Sequence, residues 1–200
     1  DELDPELCRQ KLLKIDAPQV NWQKSGTLIL WNKVRDFSKA TSKKEVDKFL
    51  KNRFKELSLH LGLHYHRILA ADEVTIHLDS FNSELGQRGP TETVRPIDPF
   101  NHPRNGKPGY PKLFKITSPD RCDLNLEAHI WPKTSALPEY KLDHVAERQG
   151  LYFYRNDRLI HGGGWGGSRE DAEPHLNLAR VEIDLPREWQ SEIRVYFNKS

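Results

Sequence analysis

The sequence predicts an α+β domain, and three observations carry that expectation. Segments alternating apolar and polar residues recur through the second half of the chain. One long amphipathic stretch opens on a capping box, and few other segments carry helical periodicity.

Gly26–Val34, GTLILWNKV, reads as an apolar strand behind a glycine. Its consecutive Leu28, Ile29, Leu30 and Trp31 suggest burial on both faces. Ser42-Lys43-Lys44-Glu45 then forms a capping box, in which hydroxyl and carboxylate satisfy the orphan N–H groups of a helix start. Val46, Phe49, Leu50, Phe54, Leu57, Leu61 and Ile68 recur at three- and four-residue steps. They predict one helix to about Leu69, weakened or bent at Gly62.

Glu73–Asp79 alternates with period two and predicts a strand. Residues 86–111 are dense in Gly and Pro, which predicts an irregular, exposed connection, long for a compact domain. Lys112–Thr117 and Cys122–Trp131 predict a hairpin across Ser118-Pro119-Asp120-Arg121. In the second of these strands Leu124, Leu126, Ala128 and Ile130 share a face, opposite the polar residues. A short polar helix is expected at about Leu137–Arg148. Strands follow at Leu151–Tyr154, Ala179–Leu185 and Ile193–Phe197, with a glycine-rich segment, Gly162–Gly167, between the first two.

Lys plus Arg number 31 against 29 for Asp plus Glu, so no overall basic bias argues for nucleic acid. Phosphate binding would have to come from local clustering. Cys8 and Cys122 lie far apart without metal-ligand spacing and read as reduced thiols of a cytoplasmic protein, with a lone disulfide as the lesser alternative. No apolar run is long enough for a membrane span, and the acidic, polar opening DELDPELCRQ is no signal peptide. The sequence holds no methionine, even at position 1, so it is expected to be a piece of a larger protein.

The chemistry-bearing patterns are sparse. His60 and His64 stand at i and i+4, the spacing of a helical zinc pair, but no glutamate completes an H-E-x-x-H pattern. They read as polar, half-buried side chains of a helix tail, and no metal site is assigned. Gly162–Gly167 lacks the Lys-Ser/Thr of a phosphate loop and reads as a turn with Trp165 as an aromatic anchor. Arg155, Arg158, Arg180, Arg194 and Lys199 are the basic residues of the terminal strands, ordinarily a solvated set. Gathered at strand ends, Arg155-Asn156-Asp157-Arg158 and Asn198-Lys199-Ser200 form a layout suited to an anion. No nucleophile elbow or Ser/His/Asp arrangement is present.

Several of these segments together resemble a known family. They are Gly26–Trp31, His60–Arg67, Pro96–Phe100, Gln149–Ile160 (QGLYFYRNDRLI), Gly164-Trp165, Ala179–Pro186 (ARVEIDLP) and Asn198-Lys199-Ser200. In this order they are similar to the second half of bacterial microrchidia-like proteins of the gyrase/histidine-kinase/MutL (GHKL) ATPase superfamily. The resemblance implies a transducer with a ribosomal-protein-S-five domain-2-like fold, a left-handed β-α-β crossover, an additional antiparallel sheet and one long helix. It assigns residues 1–25 to a lead-in from a nucleotide-binding domain and 26–200 to the transducer region.

The family's E-x-x-D-N and D-x-G-x-G nucleotide motifs do not occur here: Glu45-Val46-Asp47-Lys48 lacks the asparagine. ATP and Mg are therefore expected on an N-terminal domain outside this sequence, and no cofactor on this region alone. By the resemblance Lys199 is the catalytic cation, reaching the ATP γ-phosphate in that domain, and Arg155, Asn156 and Arg158 support the interface or a DNA path. Its own nucleotide-binding domain, DNA and an ATP-dependent homodimer are the partners implied, in a DNA-linked role such as phage defence. A stand-alone nucleic-acid-binding module is the alternative reading.

Overall fold

A computed structural model describes residues 42–82, 86–101, 107–117, 119, 122–131, 148–166, 176 and 178–189. The predicted strands Gly26–Val34 and Ile193–Phe197, nearly all of the predicted helix Leu137–Arg148, and Lys199 lie outside the described residues. The chain divides into two compact units, Asp1–Asp47 and Lys48–Ser200. Of the first, only residues 42–47 are described, and they begin a helix.

That helix, α1 (Lys43–His64), starts on the predicted capping box. The Glu45 N–H donates to Ser42 Oγ at 3.3 Å, and the Ser42 N–H and hydroxyl donate to Glu45 Oε2 at 3.3 and 2.8 Å. Instead of one helix to Leu69 there are two, for α2 (His66–Ala70) begins after a break at Tyr65. Gly62 accounts for the break without being its location. Its carbonyl, the natural acceptor for the His66 N–H in a continuous helix, accepts from the Ile97 N–H at 3.0 Å. The buried stripe also shifts: Leu63 and Leu69 are buried, whereas Leu57 is 45 % exposed. At the end of α2, Asp72 adopts φ 56°. Its N–H and that of Glu73 return to the Leu69 and Ile68 carbonyls, a Schellman closure with Asp in glycine's usual place.

The predicted strand Glu73–Asp79 contracts to β1 (His77–Leu78), which pairs with β4 (Glu92–Thr93). Between them β2 (Phe81–Asn82) pairs with β3 (Gln87–Arg88). The Gly/Pro-rich connection thus contributes two short strands and buries Val94 and Pro99 in the interior. The main sheet has five strands, β5 (Lys112–Ile116), β6 (Leu124–Ile130), β7 (Gly150–Arg155), β8 (Arg158–Gly162) and β9 (Ala179–Asp184). Their order is β5-β6-β9-β7-β8. All neighbours are antiparallel except β7 and β9, which run parallel. The fold is therefore α+β, with a mixed sheet. No helix among the described residues is long and apolar enough to cross a membrane.

Register assigns the two faces. On one, Leu124, Ile183 and Leu185 form an apolar cluster with Leu126, Leu151, Phe153, Ile160, Val181 and Trp189 packed on it. This is the alternation expected of β6. On the other face Tyr152, Tyr154 and Leu159 pack with Leu63 of α1 and with Leu59, Ile97 and Phe100. The polar positions of β6 and β9 share this second face, so they point under the helical layer as well as towards solvent.

The glycine-rich segment runs beside the start of β7. The Leu151 N–H donates to the Gly164 carbonyl at 2.8 Å and the Gly164 N–H to the Gln149 carbonyl at 2.7 Å. A Cβ on Gly150, which sits at φ 113°, would stand 2.0 Å from the Gly164 oxygen, so this approach requires glycine. Trp165 is the expected anchor, its indole N–H donating to Gln149 Oε1 at 3.0 Å.

Gly62 provides a test in which the sign is informative. In an ordinary helix interior Gly→Ala stabilises by about 1 kcal/mol. Here the new Cβ would meet the Arg95 carbonyl oxygen at 2.5 Å and Ile97 at 3.2 Å. Gly62→Ala is expected to destabilise by about 1–3 kcal/mol in urea unfolding; a stabilised variant would contradict this packing.

Candidate functional site

The site grows from one side chain of α2. Arg67 is aimed at the sheet by a five-residue helix fixed between the Tyr65 break and the Asp72 closure. Its guanidinium grips Asp184 as a fork, Nη1 to Oδ1 at 2.6 Å and Nη2 to Oδ2 at 3.1 Å. Nη2 also donates to Glu182 Oε1, and Nη1 to Asp157 Oδ1 at 3.3 Å. The guanidinium lies 3.7 Å from the centroid of the Tyr154 ring. One cation thereby ties α2 to β9, to the face of β7 and to the turn after β7.

That turn is the polar one read from the sequence. Asn156 and Asp157 take φ 50° and 59°, the two left-handed residues of a tight hairpin whose strand ends are Arg155 and Arg158. All four residues are exposed. The structure thus brings Arg155, Asn156 and Arg158 together at one tip, with Arg158 lying 5.2 Å over the Tyr65 ring. Asp157 faces inward to Arg67. Lys199 lies outside the described residues, so its relation to the tip is not described.

Behind the tip, the Tyr154 hydroxyl and His66 Nε2 are 3.0 Å apart within the core. Burial holds the His66 imidazole well below its ordinary pKa, at about 4, with Asp98 pulling it up and Arg67 pushing it down. Burial alone would lower the Arg67 pKa, but the bonds to Asp184 and Glu182 outweigh it and raise the pKa. The Glu182 carboxyl is raised by burial, and by Asp184 and Glu127, against the opposing pull of Arg67. Acid is in excess here: three carboxylates share the Arg67 guanidinium.

The acidic layer continues along β6. Strand pairing sets Glu127 opposite Glu182, and His129 follows two residues on from Glu127. His129 Nε2 lies 3.3 Å from Glu127 Oε1 and 3.8 Å from Glu182 Oε2. Beside them opens a concavity of about 400 Å³ lined by Asp123, Asn125, Glu127, Glu182 and Asp184 together with the apolar Leu113, Leu126, Leu185 and Pro186. Arg180, read from sequence with the solvated basic set, is instead 1 % exposed. It donates to the Pro99 carbonyl and lies against the Trp131 and Tyr152 rings, 5.2 and 5.8 Å from their centroids. Its position on β9 points under the same layer as Glu182, which corrects that reading.

A surface so rich in carboxylates repels polyphosphate and attracts cations. This part of the sheet therefore favours cations over a nucleotide's phosphates.

No family model matches the chain, and no curated protein or solved structure matches it either. Sequence reasoning missed Arg67, His129 and Glu182 as a group. The signal was present in E-A-H within β6 and V-E-I-D within β9, but the register that unites them is not local.

Replacing Arg67 by Met keeps the stem and removes the cation that Glu182, Asp184 and Asp157 share. It is expected to cost about 2 kcal/mol in urea unfolding, less than a fully buried pair because Asp184 and Asp157 reach solvent. Asp157→Asn, at the exposed end of the cluster, should cost under about 0.5 kcal/mol; equal costs would refute this ranking. His66 makes stability fall with acid. Above pH 6.5 the ring is neutral in both states, and between 6.5 and about 4 only the unfolded chain takes up the proton. About 2 kcal/mol should be lost between pH 7 and 5 through this group. His66→Gln should shrink the drop measured by urea midpoints, and an undiminished drop would show that another group carries it.

Proposed function

We propose that this region is the transducer of a GHKL-type ATPase, a lever that couples the nucleotide state of a neighbouring domain to movement. The observation that carries this reading is the parallel β7–β9 pair set in an otherwise antiparallel sheet. Two parallel neighbours require the chain to cross over before it re-enters the sheet. The β7–β8 hairpin and β9 are also the segments QGLYFYRNDRLI and ARVEIDLP, in which the resemblance is most specific. A ribosomal-protein-S-five-like fold with a left-handed crossover is the finer form of the same proposal.

The physical role follows from stiffness. The exposed tip is the turn of the β7–β8 hairpin, and Arg67 lies on the Tyr154 ring of β7 and bonds Glu182 and Asp184 of β9, so displacement of the hairpin is passed to α2 and the sheet together. Arg155, Asn156 and Arg158 meet the partner domain or a DNA path, and Lys199 supplies a mobile point charge to the γ-phosphate. ATP and Mg belong to the nucleotide-binding domain, where ATP supplies the phosphoryl group and Mg offsets its charge. This chain contributes Lys199 and the body it is mounted on. Coupling to a DNA-linked process in the cytoplasm, through an ATP-dependent homodimer, completes the reading.

In a protein carrying this region together with its nucleotide-binding domain, Lys199→Ala is expected to lower steady-state ATP hydrolysis about a hundredfold. The circular dichroism of the region should stay unchanged. Unaltered turnover would remove Lys199 from the reaction. Tight, steeply salt-dependent nucleic-acid binding by the isolated region would favour the stand-alone module instead.

A further inference from the structure

We propose that Glu127, His129 and Glu182 form a binding site for a first-row divalent cation, Zn²⁺ foremost, on the helix-covered face of the five-stranded sheet. The case begins with a pairing that is unfavourable by itself. Glu127 and Glu182 are directly opposed across β6 and β9, and like charges in that relation repel. Both are only partly exposed, so water does not fully screen them. A cation seated between them reverses the sign of the interaction.

The third member decides what kind of cation. His129 is an imidazole, 6 % exposed, held with its ring 4.7 Å from that of Phe100. One nitrogen and two carboxylate oxygens, all within 4.8 Å of one another, make a donor set suited to zinc or manganese more than to calcium or magnesium. The spacing also fits. A tetrahedral zinc with bonds of about 2.0–2.1 Å holds its donors roughly 3.3–3.4 Å apart. His129 Nε2 stands 3.3 Å from Glu127 Oε1 and 3.8 Å from Glu182 Oε2, and all three donors lie within 4.8 Å of one another, so an ion has to draw the two carboxylates closer together about the imidazole.

Two surrounding features complete a working site. Arg67 bonds Glu182 through Oε1, leaving Oε2 on the side of His129, the way an outer partner orients a ligating carboxylate. The concavity beside the three residues, part carboxylate and part apolar in its lining, gives an ion its route in and leaves room for water on the remaining coordination position. This proposal does not depend on the transducer reading, and either can fail without the other.

The purified chain, stripped with chelator, is titrated with Zn²⁺ by calorimetry, with Co²⁺ absorption reporting coordination. One ion per chain is expected, with a rise in melting temperature. Glu127→Gln, at a partly exposed position that leaves the strand intact, should weaken binding at least tenfold, as should His129→Gln. Far-ultraviolet circular dichroism confirms that each variant is folded. His64→Gln removes the stacked His60–His64 pair on α1, a rival zinc ligand, and should leave the affinity unchanged. Absence of binding, binding unaffected by Glu127→Gln in the folded variant, or binding abolished by His64→Gln would each overturn the assignment.

Discussion

The position of one guanidinium governs how the described parts of this protein fit together. Arg67 stands on a single helical turn and a half, yet it touches the end of β9, the ring of Tyr154 on β7 and the turn between β7 and β8. A short helix has little stability of its own, since nucleation costs more than one turn of hydrogen bonds returns. What fixes α2 is therefore tertiary. Its closure at Asp72 sets its end, the Gly62 carbonyl turned to Ile97 sets its beginning, and Arg67 binds it to the sheet. Bringing charge to the edge of a core costs desolvation, and here several bonds and an aromatic face offset it.

The same constraint explains why both faces of a central strand matter. One face of β6, β9 and β7 is apolar in the ordinary way. The other is a layer in which Tyr152, Tyr154, His66 and Arg180 are buried beside carboxylates. Such a layer specifies geometry more sharply than aliphatic packing does, because each polar group has few satisfactory positions. It places the exposed Arg155–Arg158 tip at one end of a connected set of bonds and the Glu127, His129 and Glu182 group at another. Under the transducer proposal, a push at the tip reaches the sheet through these contacts.

Local signals in the sequence were enough for several of the elements, those whose causes are local. The Ser42–Glu45 box, the alternation of β6 and β9 and the Arg155–Arg158 turn all appear where the residues place them. The break at Tyr65 was hidden because it depends on a backbone bond to Ile97, 35 positions after Gly62. Arg180 reads as surface by residue type, and only the parallel pairing with β7 turns it beneath Pro99 and beside the Trp131 ring. The site was legible in its tip and not in its interior. Arg67 stands 115 and 117 residues before Glu182 and Asp184 in sequence, and nothing near Arg67 names its two partners.

The claim that Arg67 welds the helical layer to the sheet is tested most directly by a double-mutant cycle between Arg67→Met and Glu182→Gln, with chelator present so that metal ions do not enter. Contacting, mutually dependent groups couple by about 0.5–3 kcal/mol, whereas independent ones add. A coupling above about 1 kcal/mol in urea unfolding is the expected result. Additive single-variant costs would mean that the two side chains stabilise the fold separately, and that the layer is not held through this bond.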